Sequence, residues 1–541
     1  MTNKLKLPGL ALLSGVLIAL SFPPFNFTFS TFIGIIPLLY IEHKIAKGAV
    51  KRERTGLKIF GLSYLTFFTW NLLCCWWIYN AAFVGAAFEI LANSLLYALM
   101  FLLFHVCKKK LNKTLWPFCF VLFWMALEYL HFQDWELSWP WLVLGNAFSG
   151  MPYLVQWYEY TGVLGGSLWV LAINWMLLQA VIVWRENKKI TDEAVRIFIR
   201  TDFYILAPMV LSVAIYLSYI ENIKPVNVVV VQPNIDPYNE KFGGMHEQLQ
   251  IDKMVNLARP KISDSTQYVL LPETAIPGGE WEEQFSQSPN LERLSALFNQ
   301  NPKIKIITGI STYAEVFPKN ESDLPVSYRK DGEGWYESYN TAVQMDTTFN
   351  FQVYHKSLLV IGVEKMPFAN LLKPLNHLIL DYGGTTGSLG VQPHRSVFTA
   401  PDTSMTVAPI ICYESIYSDY VAEYVQKGAQ LLFIMTNDGW WGDSPGYKQH
   451  FSFARLRAIE NRRSIARSAN TGISGFINQR GDVIAASEYW KPDALAQTIN
   501  ANDELTIFTR FPKLLGSTAL AGAIVLLLTA FILKFRKKKT E

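Results

Sequence analysis

Apolar residues gather into eight runs along the chain, at roughly 8–23, 29–42, 57–79, 82–106, 115–131, 161–184, 203–220 and 514–535. A bilayer core about 30 Å thick asks for about 20 such residues per helix, so the pattern predicts eight membrane spans. The third and fourth are the cleanest, because Glu89 and His105 are the only acidic, basic or imidazole side chains between Ile59 and Val106. The polar positions between the runs carry a second pattern. Lys4 and Lys6 precede the first run, cations from Lys44 to Lys58 separate the second from the third, and Lys108 to Lys113 follow the fourth. Arg185 to Arg200 follow the sixth, and Lys534 to Lys539 close the chain. The alternate connections, 24–28, 80–81 and 132–160, hold no Lys or Arg. Cations on every other loop are the positive-inside pattern, which predicts both termini in the cytoplasm and the long polar stretch on the outer face. The expected domains are a seven-helix bundle at 1–220, an extracytoplasmic domain at 221–513, and an eighth helix with a basic tail at 514–541. No small-x-small site follows the first run, where Phe22-Pro23-Pro24-Phe25 turns the chain into the second, so a cleaved leader is not expected. Trp135, Trp139, Trp141 and Trp157 on the 132–160 connection read as an interfacial belt. Glu89 and Glu128, costly inside spans, are expected to face the bundle interior.

Within the polar stretch the period changes. Short β-rich runs recur at 226–232, 268–271, 304–310, 341–345, 406–412 and 431–436, and helical stretches at 247–257, 291–299, 415–427 and 451–461 lie between several of them. Strands alternating with helices predict one layered α/β domain. Composition fits the division into a greasy part and an ordinary one: 51% of residues are apolar and 17% charged, against about 25% charged in an average soluble chain. Aromatic residues at 14% exclude a disordered chain. A net charge of +4 gives no reason to expect nucleic acid. No G-x-G-x-x-G follows a strand and no G-K-[ST] occurs, so no phosphate cradle is predicted. The histidines of the domain form no H-x-H or H-x-x-x-H pair, so no metal is expected.

Three positions invite chemistry. Of five cysteines, four lie within or at the edge of the apolar runs and only Cys412 lies in the long polar stretch. It ends the strand 406–412 just before a predicted helix, whose N-terminal amides would favour a thiolate. The alternative is a small buried core residue. Glu273 follows a strand in Leu271-Pro272-Glu273-Thr274, where two prolines, Pro272 and Pro277, fix the turn; it could be a general base or a turn cap. Lys356 follows 351–355 and precedes the apolar 358–361, as an oxyanion holder or a surface cation.

In that order along the chain, Leu271-Pro272-Glu273-Thr274, Lys356 and Cys412-Tyr413-Glu414 resemble the Glu-Lys-Cys set of the nitrilase (carbon–nitrogen hydrolase) superfamily. Set between seven predicted spans and one, they resemble more narrowly the apolipoprotein N-acyltransferase family of bacterial lipoprotein maturation. Gln232-Pro233-Asn234-Ile235, Tyr339-Asn340-Thr341, Thr436-Asn437-Asp438-Gly439-Trp440-Trp441, Gln449-His450, Ala454–Glu460, Arg467–Gly472 and Trp139-Pro140-Trp141-Leu142 extend the likeness over nearly the whole chain. Two stretches depart from it. Where the family reads Leu-Val-Pro-Phe-Gly-Glu, this chain reads Leu359-Val360-Ile361-Gly362-Val363-Glu364, and Phe242 stands after Lys241 where the family often has Trp.

The resemblance implies a nitrilase-like α/β sandwich on an eight-helix transmembrane bundle, in a multi-pass inner-membrane protein whose catalytic domain is periplasmic. It implies ping-pong acyl transfer by a monomer without cofactor. Cys412 would take an acyl chain from a membrane phospholipid, phosphatidylethanolamine, and pass it to the α-amine of a diacylated apolipoprotein. Glu273 would serve as base and Lys356 would hold the oxyanion. Glu364, Tyr413 and Glu414, with Asn234, Asn437 and Trp440, would support these three or line the substrate pocket. A thioester suits such a relay, since sulfur both attacks and leaves well. The apolar i, i+3, i+4 spacing in 366–382 predicts an amphipathic arm at the membrane interface, or a core-packed helix. A membrane-tethered amidase using the same three residues is the competing reading.

Overall fold

The computed structural model describes residues 6–48, 54–318, 325, 327–332, 334–368, 388–400 and 405–539. Most of the stretch 366–382 lies outside the described residues. The chain divides into two compact units, one of Met1–Trp76, Ala86–Ser218 and Phe511–Glu541, the other of Trp77–Gly85 and Tyr219–Arg510.

The first unit is helical. Among the described residues, seven helices are long and apolar enough to cross a membrane: Thr28–Lys47, Thr55–Asn80, Phe83–Lys108, Lys113–His131, Val163–Asn187, Asp192–Ser218 and Leu514–Lys534. The first predicted span forms the shorter helix Lys6–Leu20, ended by Pro23 and Pro24, which supply no amide to continue it. It lies hard against Thr55–Cys75: a Cβ on Gly15 would meet the Thr66 carbonyl at 2.5 Å, and Thr66 Oγ1 donates to the Ala11 carbonyl at 3.0 Å. Glu128 is fully buried and accepts from Trp124 Nε1 and the Leu144 amide, both at 2.9 Å. Both oxygens of Glu89 are buried, with no hydrogen-bond donor among the described residues. The connection after His131 is a belt only in part. It folds into the 3-10 turns Pro140–Leu142, Leu144–Phe148 and Pro152–Leu154, and Trp141 and Trp157 are buried, while Trp135 and Trp139 keep partial exposure.

The second unit holds two sheets. Strands β1 (Pro225–Gln232), β2 (Thr266–Leu270), β3 (Ile276–Trp281), β4 (Lys305–Val316), β5 (Tyr328–Asp331), β6 (Gly334–Met345) and β7 (Phe351–His355) build the first. Strands β8 (Phe398–Ala400), β9 (Met405–Ile411), β10 (Leu431–Thr436), β11 (Ile465–Ala469), β12 (Gly475–Ile477) and β13 (Val483–Ala486) build the second. β14 (Asp493–Asn500) returns to the first sheet, whose order is β14-β1-β2-β4-β6-β5, with β3 on β4 and β7 on β6. β1, β2 and β4 run parallel, as do β9, β10 and β11. Parallel strands buried on both faces need unbroken apolar runs, which Val228–Val231 and Leu431–Met435 supply. The sheets face each other: Tyr268 of β2 meets Phe433 of β10 edge-on at 5.2 Å, and Ser468 of β11 donates to the Val231 carbonyl of β1 at 2.7 Å. On the first sheet, Ile251, Met254 and Val255 from helix Glu247–Ala258 and Leu291 and Leu294 from Pro289–Ser295 close one core with Val229, Val269 and Ile306.

Candidate active site

Two strand ends and one sheet edge deliver the predicted residues. β2 leads through Leu271-Pro272 to Glu273, and β9 leads directly to Cys412; both sites are carboxyl ends of parallel strands, where open α/β sheets bind ligands. Lys356 follows β7, its amide held by the Asn340 carbonyl of β6 at 2.8 Å. All three are buried, at 7%, 7% and 1% exposure for Glu273, Cys412 and Lys356. Lys356 Nζ donates to Glu273 Oε1 at 3.1 Å and to Glu364 Oε1 at 2.9 Å. Asn340 Nδ2 donates to the same two oxygens, at 2.8 and 3.0 Å. One ammonium and one amide thus hold two carboxylates in a fixed quadrilateral.

The charges follow from this packing. Burial alone would raise Glu273, but Lys356, Asn340 and Lys241 outweigh it and hold its carboxyl below the ordinary value. Burial would likewise discharge Lys356, yet Glu273 and Glu364 hold its ammonium well above the usual amine range. Burial, then Glu273, pushes the Cys412 thiol well up, while Lys356 and the Thr436 hydroxyl pull the other way. The helix-terminus expectation for Cys412 therefore fails. A 3-10 turn, Cys412–Ile416, intervenes before helix Ser418–Gln426, and desolvation governs the thiol. At rest the cysteine is neutral and the nearby glutamate ionised.

Backbone strain marks the same places. Cys412 sits at φ +49° and Thr274, beside Glu273, at +45°, costly conformations for residues carrying a Cβ. Surrounding bonds hold the cysteine turn. Glu414, fully buried, accepts at Oε2 from the Ile411 amide (2.9 Å) and at Oε1 from the Ser357 amide (2.7 Å), Tyr354 Oη (2.6 Å) and Tyr420 Oη (2.9 Å). One carboxylate thereby ties the residue after Lys356 to the residue before Cys412. The Cys412 carbonyl accepts from Ser415 Oγ at 2.7 Å and lies 3.2 Å from His450 Nε2.

A second network flanks the thiol. Thr436 Oγ1 lies 3.3 Å from Cys412 Sγ and donates to Asp438 Oδ1 at 2.7 Å. Asp438 also meets His450 Nδ1 at 2.9 Å and Arg467 Nη2 at 2.7 Å; despite burial, Arg467 and His450 hold its carboxyl down at about 2. Ligand atoms of Cys412, Asp438 and His450 lie within 4.8 Å of one another, a metal-like grouping in which Arg467 already supplies the positive charge. Sequence reading quoted these residues as motif letters without assigning them work. It also passed over Lys241, which is buried, donates to the Glu273 carbonyl at 3.0 Å and is pushed down to about 7 by desolvation.

The supporting residues separate into two groups. Glu364 bonds Lys356 and Glu414 bonds the amides beside Lys356 and Cys412, and Tyr413, buried beside Cys412, packs edge-on to Tyr417 at 5.2 Å. Glu364 turns back so that Oε2 accepts from the Val360 amide at 2.8 Å, and Gly362 at φ +84° supplies the left-handed residue this tight turn needs. Asn437 instead accepts from Asn470 Nδ2 at 3.1 Å, while Asn234 donates to the Trp490 carbonyl at 3.2 Å and takes the Asn470 carbonyl on its amide at 2.8 Å. These two asparagines lock loops to each other. Trp440 stacks on Phe242 at 5.9 Å and meets Tyr238 edge-on at 5.2 Å; Phe242 and Tyr238 are exposed. The aromatic contact survives the Phe242 departure.

Comparison with known proteins gives the chain's family. The family model for carbon–nitrogen hydrolases matches residues 227–504, and the model for the apolipoprotein N-acyltransferase N-terminal domain matches residues 14–176. The chain belongs to the apolipoprotein N-acyltransferase family of carbon–nitrogen hydrolases. Two curated family members are similar along nearly their whole length. The apolipoprotein N-acyltransferase of Chlorobaculum tepidum is 29% identical over 97% of this chain and 96% of its own. That of Pasteurella multocida is 24% identical over 96% and 94%. Among solved structures, an amidase from Nesterenkonia sp. is 14% identical and covers 54% of this chain and 96% of its own, with a TM-score of 0.36.

Proposed function

We propose that the chain transfers a fatty acyl group from a membrane phospholipid to the α-amine of a diacylated apolipoprotein, in two half-reactions through a thioester on Cys412. The observation that carries the reading is the buried convergence of an ionised Glu273, a charged Lys356 and a neutral Cys412 thiol in a family member. Glu273 takes the thiol proton as Sγ attacks the ester carbonyl. Lys356 Nζ, already charged and desolvated, balances the oxyanion; removing one such donor costs on the order of 3 kcal/mol, about a hundredfold or more in rate. Collapse breaks the ester bond, and the lysophospholipid alkoxide leaves with the proton from Glu273. The acceptor amine then attacks the thioester, Glu273 receives its proton, and the thiolate departs and is reprotonated. Lys241 and Asn340 hold the base in place; Glu364 and Glu414 hold Lys356 and the cysteine turn. The exposed Tyr238 and Phe242, packed on the half-buried Trp440, supply an apolar surface for lipid chains and for keeping water from the thioester.

The alternation of basic and cation-free loops supports cytoplasmic termini and a periplasmic catalytic domain. Phosphatidylethanolamine is the proposed donor, and the proposed working form is a monomer. The match of residues 14–176 to the apolipoprotein N-acyltransferase N-terminal domain favours transfer over amide hydrolysis. Proteoliposomes carrying the chain and a diacylated lipopeptide test this. Blocking of the peptide's N-terminus, lost in Cys412→Ala, is expected; release of free fatty acid with an unmodified peptide would instead mark a hydrolase.

A further inference from the structure

A groove of about 570 Å³ opens on the helical unit, among the helices Lys113–His131, Val163–Asn187 and Asp192–Ser218. Phe118, Val121, Leu168, Ala172 and Trp175 give it an apolar wall, and Gln179, Glu193 and Arg200 also line it. Helices Val163–Asn187 and Asp192–Ser218 are joined by a short link at the Glu193 end and held together further along, where Trp169 Nε1 donates to the Tyr204 carbonyl at 2.8 Å. Glu193 and Arg200 are seven residues apart on one helix, two turns and about 10 Å along the same face. Arg200 is the deeper of the two, and its Cα–Cβ bond leans toward the helix N-terminus, which is the Glu193 end. Among the described residues neither has an ion-pair partner, and Arg200 is accompanied by the Tyr204 ring at 5.9 Å.

From the Trp169–Tyr204 bond toward the link, the order along these two helices is that of a lipid: apolar Leu168, then the Arg200 cation, then the Glu193 anion. An aminophospholipid presents its chains, its phosphate and its ammonium in that sequence from the bilayer centre outward. We propose that this groove is a phospholipid site selective for a zwitterionic aminophospholipid, with Arg200 on the phosphate, Glu193 on the ammonium, and an acyl chain along Ala172 and Leu168. The site belongs to the helical unit and shares no residue with the proposed catalytic set. It lies at the bundle end whose link carries Lys188 and Lys189, so by the positive-inside pattern its lipid comes from the cytoplasmic leaflet. An anionic lipid would satisfy Arg200 but set its charge against Glu193.

Photo-crosslinking of the full chain in vesicles tests this, with chain-matched phosphatidylethanolamine or phosphatidylglycerol carrying a diazirine in one acyl tail. The expected result is labelling of the peptide containing Leu168 and Ala172, at least fivefold stronger from phosphatidylethanolamine. Glu193→Lys, at an exposed position, is expected to reverse the preference, and Arg200→Ala to lower labelling from both lipids about tenfold. Equal labelling by the two lipids, a wild-type preference for phosphatidylglycerol, or labelling unmoved by Glu193→Lys would overturn the proposal. Mapping by peptide separates this site from any adduct on the Tyr219–Arg510 segment, so its failure is distinguishable from failure of the acyl-transfer reading.

Discussion

Asn340 is the residue on which the geometry makes its sharpest demand. Its side-chain amide donates to Glu273 Oε1 at 2.8 Å and to Glu364 Oε1 at 3.0 Å. A hydrogen bond to a charged group contributes about 1.5–3 kcal/mol, and about 1.36 kcal/mol corresponds to one pH unit of a carboxyl's titration. Replacing Asn340 with Ala withdraws that bond from the ionised form of Glu273 and leaves Lys356 as the main group opposing the effect of burial. The Glu273 carboxyl should therefore rise by about 1–2 pH units. Because the base must be ionised to take the thiol proton, the acid limb of kcat/KM reports this group in the free enzyme. The assay is acyl transfer to a diacylated lipopeptide across pH 4 to 9, in wild type, Asn340→Ala and Asn340→Asp. Asn340→Ala should move the acid limb upward by that amount. Asn340→Asp, which adds a carboxylate beside two others, should move it further. An acid limb that stays in place in both variants, whatever the absolute rate, would refute the assignment of Glu273 as a base tuned by Asn340.

Two further outcomes follow from the buried network around the thiol. Asp438 titrates at about 2 because Arg467 and His450 favour its charge. Its folded value lies below that of an ordinary aspartate, so the stabilisation is full above about pH 4 and is lost as the pH falls toward 2. Thermal melts of wild type and Asp438→Asn should differ by about 2 kcal/mol at pH 6, and the gap should narrow between pH 4 and 3; a constant gap would deny the ion pair. Glu414→Ala leaves the Ile411 and Ser357 amides and the Tyr354 and Tyr420 hydroxyls without their acceptor. At about 1–3 kcal/mol for each unmet buried group, denaturant unfolding should show a loss of at least about 3 kcal/mol, and alkylation of Cys412 should quicken as its turn loosens.

The sequence and the structure meet most closely where the chemistry forces a pattern. Spans show as long apolar runs because nothing else survives in hydrocarbon, and Glu273 and Cys412 show because strand ends leave few places for a functional group. Elements whose pattern is set by neighbours were less legible. β6 runs from Gly334, well ahead of the apolar stretch 341–345 that announces it, because its first half pairs with the exposed β5 and carries mixed residues. β12, β13 and β14 are short or half-exposed and give no period to read. Helix Lys6–Leu20 is shorter than its hydropathy suggests, because prolines rather than hydropathy end it. Trp141 and Trp157 read as interfacial, since composition cannot tell an indole facing lipid from one filling a fold. The thiol of Cys412 was misjudged for a related reason: adjacency to a helix is visible in a sequence, but desolvation is not. Lys241, Asn340 and Asp438 gain their roles only through partners 32, 67 and 29 positions away, and no local signal marks them.

The central claim is that Cys412 carries the acyl group between two substrates. Intact-mass measurement of the protein incubated with phospholipid and no acceptor tests it most directly. The account predicts one fatty acyl adduct mapping to Cys412, cleaved by hydroxylamine and discharged when a diacylated lipopeptide is added. A chain that acylates the lipopeptide at full rate while never bearing that adduct would contradict it.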